Sequence, residues 1–393
     1  MWFRKKRIYA DAAAATPLSE KARAEMLRLL PLYGNPGAIH TEALEAKREL
    51  DLARARIARA IGAHADEIVF TASGTEANNL ALHGARGHAI TSAIEHQSVL
   101  EPLRATGASV TELPVDREGV IDIAQFKESL REDTSIVSIQ LVNSEVGTIQ
   151  PIQELRRHIS RRRRSGPLGQ VLPSPQDVSP PLFHTDASQA PLWLPVNVEV
   201  LGVDLLTLDA QKMLGPKGVG ALYIRRGVEV QPLIRGGGQE GGLRGGTENV
   251  PLIGAFAVAL EEAQKDVEAR ALGTAAVRDY LWGEIKRLIP GAILNGPAQG
   301  ARRSPNNLNI SIPGLEAQMA VVSLDAQGIA AGTRSACDSG DEDPSHVIVA
   351  LGTPPALATS AVRITLLPTA TEVDARAIAA ALAHAAALYR AEQ

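Results

Sequence analysis

Along much of the chain, short apolar-rich runs are separated by stretches of helical spacing. EIVFT (67–71), HAITSA (88–93), SVTELPV (109–115), TSIVSIQLV (134–142), LFHTDA (182–187), VDLLTLDA (203–210) and GALYIRR (220–226) have the length of strands, and several are rich in β-branched residues. EIVFT predicts a buried strand, and the others are further strand candidates. Between most of them lie helical or looped segments. Residues 41–61 set Leu50, Ala53, Ile57 and Ile61 on one helical face, with Thr41 as a candidate cap and Gly62 as a stop. GTEANNLALHG (74–84) predicts a helix directly after the first strand. This alternation predicts an α/β fold with a mostly parallel sheet covered on both sides. In such sheets ligands bind outside the carboxyl ends of the strands.

The texture changes after about residue 248. A long helical stretch, 250–289, begins near Pro251 and stops at Pro290. It leads toward a second, smaller α/β domain holding NNLNISI (306–312), a polar loop and an Ala-rich helix, 377–389. The expected division is a large domain over 15–255 and a small domain made of 1–14 and 256–393. The segment 165–182 is dense in Pro, Gly and Ser and predicts a surface loop.

Composition narrows the function. With 40 Lys+Arg against 44 Asp+Glu, the net charge of −4 gives no general attraction to nucleic acid or to an anionic membrane. The run RRRR (161–164) has no interleaved aromatics and reads as a solvated helix end. The Ala-rich helix is too short and too closely flanked by Arg376 and Arg390 to span a bilayer. The N-terminus is basic but lacks the apolar core of a signal peptide. Cys337 is the only cysteine, so no internal disulfide forms, and the expected location is the cytoplasm. That cysteine sits in TRSACDSGDEDPSH (333–346), among Ser, Gly and Asp and not among core residues.

Several strand ends carry chemistry-bearing residues. Lys212 follows an apolar strand and precedes a Gly/Pro-rich turn, where an amine can form a Schiff base with a carbonyl. Asp186 ends another strand, where a carboxylate can pair with the pyridinium nitrogen of pyridoxal phosphate. SGTEANN brings Gly74 and Thr75 to a strand–helix junction suited to a phosphate. His96 follows a further strand and can stack on a ring or carry protons. Each of these residues alone is equally compatible with a cap or a solvated polar group. Gly236, Gly238 and Gly241 match G-x-G-x-x-G and raise a nicotinamide-binding alternative, without a clear βαβ unit to support it.

Together the motifs carry a resemblance. YADAAAATP, YGNPGAIH, EIVFTASGTEANNLAL, EHQSVLEPL, VNSEVGTIQPI, HTDASQA, QKMLGPKGVGALYIRR, GGGQEGGLRGGTENV, SPNNLNIS, RSACDSG and VRITL occur in the order found in NifS/IscS-type cysteine desulfurases. The chain resembles these enzymes from about Tyr9 to about Leu382. The resemblance implies the aspartate-aminotransferase-like fold of pyridoxal phosphate-dependent transferases. It implies that Lys212 holds the cofactor covalently, Asp186 pairs with its ring nitrogen, Gln189 contacts the ring hydroxyl and His96 stacks on the ring. Gly74, Thr75, Gln211 and Thr247 from a partner subunit would hold the phosphate. Arg363 would bind the substrate carboxylate, with Asn35 nearby. Cys337 would attack the sulfur of L-cysteine, giving a persulfide and alanine. A homodimer and a sulfur-accepting partner, an iron–sulfur scaffold or a tRNA-thiolation protein, are implied as well.

The chain departs from the family pattern near the expected cofactor. Asp209 and Gln211 stand where Ser and His usually precede the lysine by three and one positions. Ser144 replaces an asparagine, Leu367-Pro368 replaces a Gly-Arg-like pair, and Arg334 replaces a small residue. Asp338, Asp341, Glu342 and Asp343 crowd Cys337, and negative charge opposes thiolate formation. Three alternatives therefore stay open: selenocysteine as substrate, another lyase or transaminase of the same fold, and a non-catalytic binding paralogue.

Overall fold

The computed structural model describes residues 7–162, 181–333 and 344–391. The strands are β1 (Ile8–Tyr9), β2 (Ile68–Thr71), β3 (His88–Ser92), β4 (Ser109–Leu113), β5 (Thr134–Ser138), β6 (Leu182–Asp186), β7 (Leu205–Asp209), β8 (Gly220–Ile224), β9 (Ile293–Leu294), β10 (Asn307–Ser311), β11 (Ile329–Ala330) and β12 (Ala361–Thr365). All seven predicted runs form one sheet in the order β2-β8-β7-β6-β5-β3-β4. The pairs from β7 through β6, β5 and β3 to β4 are parallel, while β8 runs antiparallel to both β7 and β2. Strands β3, β7 and β8 are buried at every position, as expected for a sheet covered on both faces. Ile90, Val137, Phe183 and Leu206 are each fully buried, and such a side chain contributes about 1.5–3 kcal/mol.

The strand order places the carboxyl ends of β3, β5, β6 and β7 along one rim. Since β2 and β7 both oppose β8, β2 points the same way and delivers the helix Gly74–Leu82 to that rim. Ser73 caps this helix by accepting from Glu76 N.

A second core surrounds the sheet β12-β10-β9 and includes Ala10, Leu281, Ile310, Val362 and Ile378. The predicted long helix is two, Val250–Gln264 and Val267–Leu288. Asp266, with φ 51°, breaks the run in a left-handed conformation uncommon outside glycine. The first of the two helices packs on the large-sheet core as far as Ala263, past the expected boundary at 255. Thr41 begins the helix Thr41–Ala60, but His40 occupies the cap position and makes no side-chain cap bond, so the predicted Thr41 cap is not formed. Gly62 does close that region, at φ 70°. The RRRR run and the 165–182 loop fall largely outside the described residues. Among the described residues no helix is long and apolar enough to cross a membrane.

Candidate active site

A cavity of about 270 Å³ opens at the rim where the strands end. Gly74, Thr75, His96, Asp186, Gln189, Gln211, Lys212 and Arg363 all line it, so eight of the predicted positions converge although they are spread over most of the chain. Asn35 and Thr247 do not line it; they meet each other instead, with Asn35 Nδ2 3.4 Å from Thr247 Oγ1 at an exposed position. Cys337 lies outside the described residues.

Each wall follows from a strand end. Asp186 is the last residue of β6, and its Oδ1 accepts from Ser188 N at 2.9 Å. Its Oδ2 accepts from Asn78 Nδ2 at 2.8 Å. The second proton of that amide goes to Ser98 Oγ, 2.9 Å away. Ser98 Oγ in turn lies 2.7 Å from His96 Nδ1, which also accepts from Ser98 N at 3.1 Å. With Nδ1 accepting, the neutral imidazole carries its proton on Nε2. Asn78 thus joins the carboxylate to the histidine. Sequence reading did not single out Asn78 or Ser98; the only signal was their place inside GTEANN and EHQSV.

Lys212 follows β7 on a single 3₁₀ turn. Its Nζ donates to the carbonyls of Ala13 and Ala14 at 2.8 and 2.6 Å, and Gln189 Nε2 donates to Ala13 O at 2.9 Å. The Ala-rich N-terminal segment therefore forms a wall of the cavity with its backbone. Arg363, on β12, is 2% exposed and donates from Nη2 to Asp11 Oδ1 at 2.9 Å. Its Nε is buried and has no hydrogen-bond partner among the described residues. A buried guanidinium with such a donor is suited to a carboxylate ligand.

Asp209, the last residue of β7, is also buried at the rim. It accepts from Gln211 N at 3.3 Å and Gln211 Nε2 at 3.0 Å. Burial raises its carboxyl above the usual carboxylate range, against the Gln211 hydrogen bonds and the Lys212 charge, and Asp186 adds to the upward push. Ser144 lines the cavity, whereas Asn143 turns inward and donates to Ile94 O at 2.9 Å. Gly236, Gly238 and Gly241 do not form a strand–turn–helix: β8 ends at Ile224, a 3₁₀ turn covers Gln239–Gly242 and the next α-helix starts at Val250. The nicotinamide reading loses its structural context.

The donor set fits pyridoxal phosphate. A lysine amine and a fixed carboxylate share one cavity with the N-terminal turn of the helix Gly74–Leu82. A Cβ on Gly74 would stand 3.0 Å from Asp209 Cβ and 3.1 Å from Ser188 Oγ, filling the space beside that N-terminus. Glycine keeps it open.

Comparison with known proteins agrees with this constellation. The Aminotransferase class-V family profile matches residues 8–166 and 168–378. A Dictyoglomus turgidum protein named cysteine desulfurase IscS is 42% identical over 373 residues, covering 92% of this chain and 90% of that protein. Archaeoglobus fulgidus cysteine desulfurase IscS 1 is 39% identical over 355 residues, covering 88% and 87%. A solved structure titled NifS-like protein superposes with a TM-score of 0.86 at 33% identity, over 96% of this chain and 98% of that one. The fold is thus that of the aspartate-aminotransferase-like, pyridoxal phosphate-dependent enzymes. Matched along nearly its whole length, and with lysine, aspartate, histidine and arginine gathered at the sheet rim, the chain belongs to the class-V aminotransferase family.

Proposed function

We propose that the protein is a homodimeric, pyridoxal phosphate-dependent L-cysteine desulfurase. One observation carries the reading: Lys212, Asp186, His96 and Arg363 line a single cavity in a chain whose relatives are named cysteine desulfurases. In net terms the Cβ–S bond of L-cysteine breaks and an S–S bond to Cys337 Sγ forms. The carbon keeps the bonding pair and takes a proton, so alanine and a Cys337 persulfide result without an external oxidant. When bound, pyridoxal phosphate supplies the electron sink for charge developing at the substrate Cα.

The chain's own side chains do the rest. Lys212 would anchor the cofactor through Nζ. Asp186, fixed by Asn78 and Ser188, would keep the ring nitrogen protonated, and Gln189 would face the ring hydroxyl. Gly74, Thr75 and Gln211 would surround the phosphate at the helix N-terminus. His96 would stack on the ring and move a proton at Nε2, because its Nδ1 is taken by Ser98. Arg363 would bind the substrate carboxylate, its Nε having no partner among the described residues.

Thr247 sits beside Asn35 away from the cavity lining, which supports its serving the phosphate of a second subunit, while Asn35 would lie near the substrate carboxylate. Tyr33 and Ile39 beside Asn35 are 82% and 91% exposed, and a dimer would cover them. The two hydrophobic cores support a two-domain division drawn after Gln264. We assign the protein to the cytoplasm, with an iron–sulfur scaffold or a tRNA-thiolation protein as sulfur acceptor.

The test is anaerobic alanine formation from L-cysteine, with pyridoxal phosphate titrated in and Cys337→Ser alongside. Alanine from the wild type and none from the variant is expected. Equal alanine from both would make it another lyase, and none at any cofactor concentration would sink the desulfurase reading. Selenocysteine as a parallel substrate decides the chalcogen preference.

A further inference from the structure

We propose that Asp209 enters the cofactor site as a neutral carboxylic acid and donates a hydrogen bond to a phosphate oxygen at the N-terminus of the helix Gly74–Leu82. The inference rests on the pyridoxal phosphate reading above and concerns how this particular chain tolerates a carboxyl beside the phosphate.

The placement carries the argument. Asp209 is 6% exposed and lines the cavity together with Gly74, Thr75, Ser188 and Gln211. A Cβ on Gly74 would come within 3.3 Å of Asp209 Oδ2, so the carboxyl lies directly against the first turn of the helix. Backbone N–H groups and the helix dipole make that turn the natural seat of an anion. A phosphate ester brings a charge of about −1.5 to −2 to it.

The nearby charges do not neutralise an ionised Asp209 as well. Asp186, at the end of the adjacent strand, is a second negative group. Lys212 is the cation among the groups that set Asp209's ionisation, and its charge opposes the upward push of burial without reversing it. Arg244 is engaged with Glu76 of the same helix at 3.0 Å. Gln211 donates twice to Asp209 and is uncharged. Two anions pressed together in a buried place repel strongly. One proton taken from water on binding removes the repulsion and turns an acceptor into the donor that the site otherwise lacks at this position. Burial already favours the protonated form.

The experiment compares dissociation constants of pyridoxal phosphate and of pyridoxal for the full-length wild type, Asp209→Asn and Asp209→Ala. The ratio of the two constants isolates the phosphate and cancels the titration of Lys212. Measurements run from about pH 6.5 to about pH 9, above the phosphate's own second ionisation near 6. In the wild type the phosphate preference should fall about tenfold or more across this range, one decade per pH unit being the limit for a single proton. Asp209→Asn, whose amide donates without titrating, should keep the preference seen in acid and show no pH dependence. Asp209→Ala should lose about tenfold at the acid end, as expected for a lost hydrogen bond of about 1.4 kcal/mol.

A flat wild-type ratio overturns the inference, and so does an Asp209→Asn variant that binds the phosphate form tenfold tighter than wild type in acid. The wild-type profile decides even where a variant does not fold. If the wild type takes up neither aldehyde, the cofactor reading falls and this inference with it. Uptake with a flat ratio overturns only the role of Asp209.

Discussion

Glu95 precedes His96 and is 1% exposed, with no cation among the groups that set its ionisation. Its carboxyl receives Ser92 Oγ at 2.6 Å and Gln140 N at 3.0 Å, yet burial pushes it up to about 8, with Asp186 adding to the push. Bringing such a carboxyl from its ordinary 4.5 to about 8 corresponds to roughly 4–5 kcal/mol against ionisation in the fold. The sign follows from proton counting. Between the two values the unfolded chain has lost this proton and the native chain retains it, so stability falls as pH rises. Glu95→Gln is isosteric, can accept from Ser92 and Gln140 through its carbonyl oxygen, and does not titrate. Its stability relative to wild type should therefore improve by about 3 kcal/mol from about pH 5.5 to about pH 8, at ~1.4 kcal/mol per pH unit. Urea unfolding of both proteins at matched concentration across this range measures the difference, and every other titrating group cancels in it. A wild-type-minus-variant difference that stays constant with pH would refute the reasoning, because Glu95 would then be ionised in the native state.

Two further outcomes test the scaffold around the site. Arg54 (side chain 17% exposed) holds Glu240 (1%) at 2.6 Å, and Glu240 also accepts from Phe70 N at 2.8 Å. Arg54→Met should strand that carboxylate and cost about 3–5 kcal/mol in urea unfolding, while Arg54→Lys should recover only part. Asn78→Ala removes the amide that joins Asp186 to Ser98 and His96. It should lower kcat about tenfold, for a loss of about 1.4 kcal/mol, with a smaller change in KM; equal loss in both would point to a general disturbance of the pocket.

The large sheet was readable because most of its strands are short runs rich in apolar and β-branched residues with no charged residue in their interior, as in LLTLD and GALYI. Asp186, Lys212 and His96 were readable because they follow such runs, so topology alone sends them to one rim. The break at Asp266 was not. QKDVEARAL contains neither glycine nor proline, yet Asp266 adopts the left-handed conformation there. Strands β1, β9 and β11 have two residues each, too few to show a period. Asn78 was hidden for another reason. Its role depends on two partners from distant segments, and nothing in the local pattern separates it from its neighbour Asn79, whose side chain donates to Thr75 O of its own helix at 2.9 Å.

The departures from the family pattern looked in the sequence like separate losses, and the structure joins two of them. Gln211 Nε2 and Gln211 N both donate to Asp209, so the amide that replaces a histidine is the partner of the carboxyl that replaces a serine. Reverting Asp209 alone would leave the Gln211 amide without its acceptor, and reverting Gln211 alone would leave a buried carboxyl with fewer donors. The two positions therefore behave as one unit, in which the glutamine orients the carboxyl against Gly74. A pair that supports itself in this way does not resemble accumulated damage. It keeps the wall of the cavity ordered, and it makes the hold on a phosphate depend on a single proton where the usual serine would make it independent of pH.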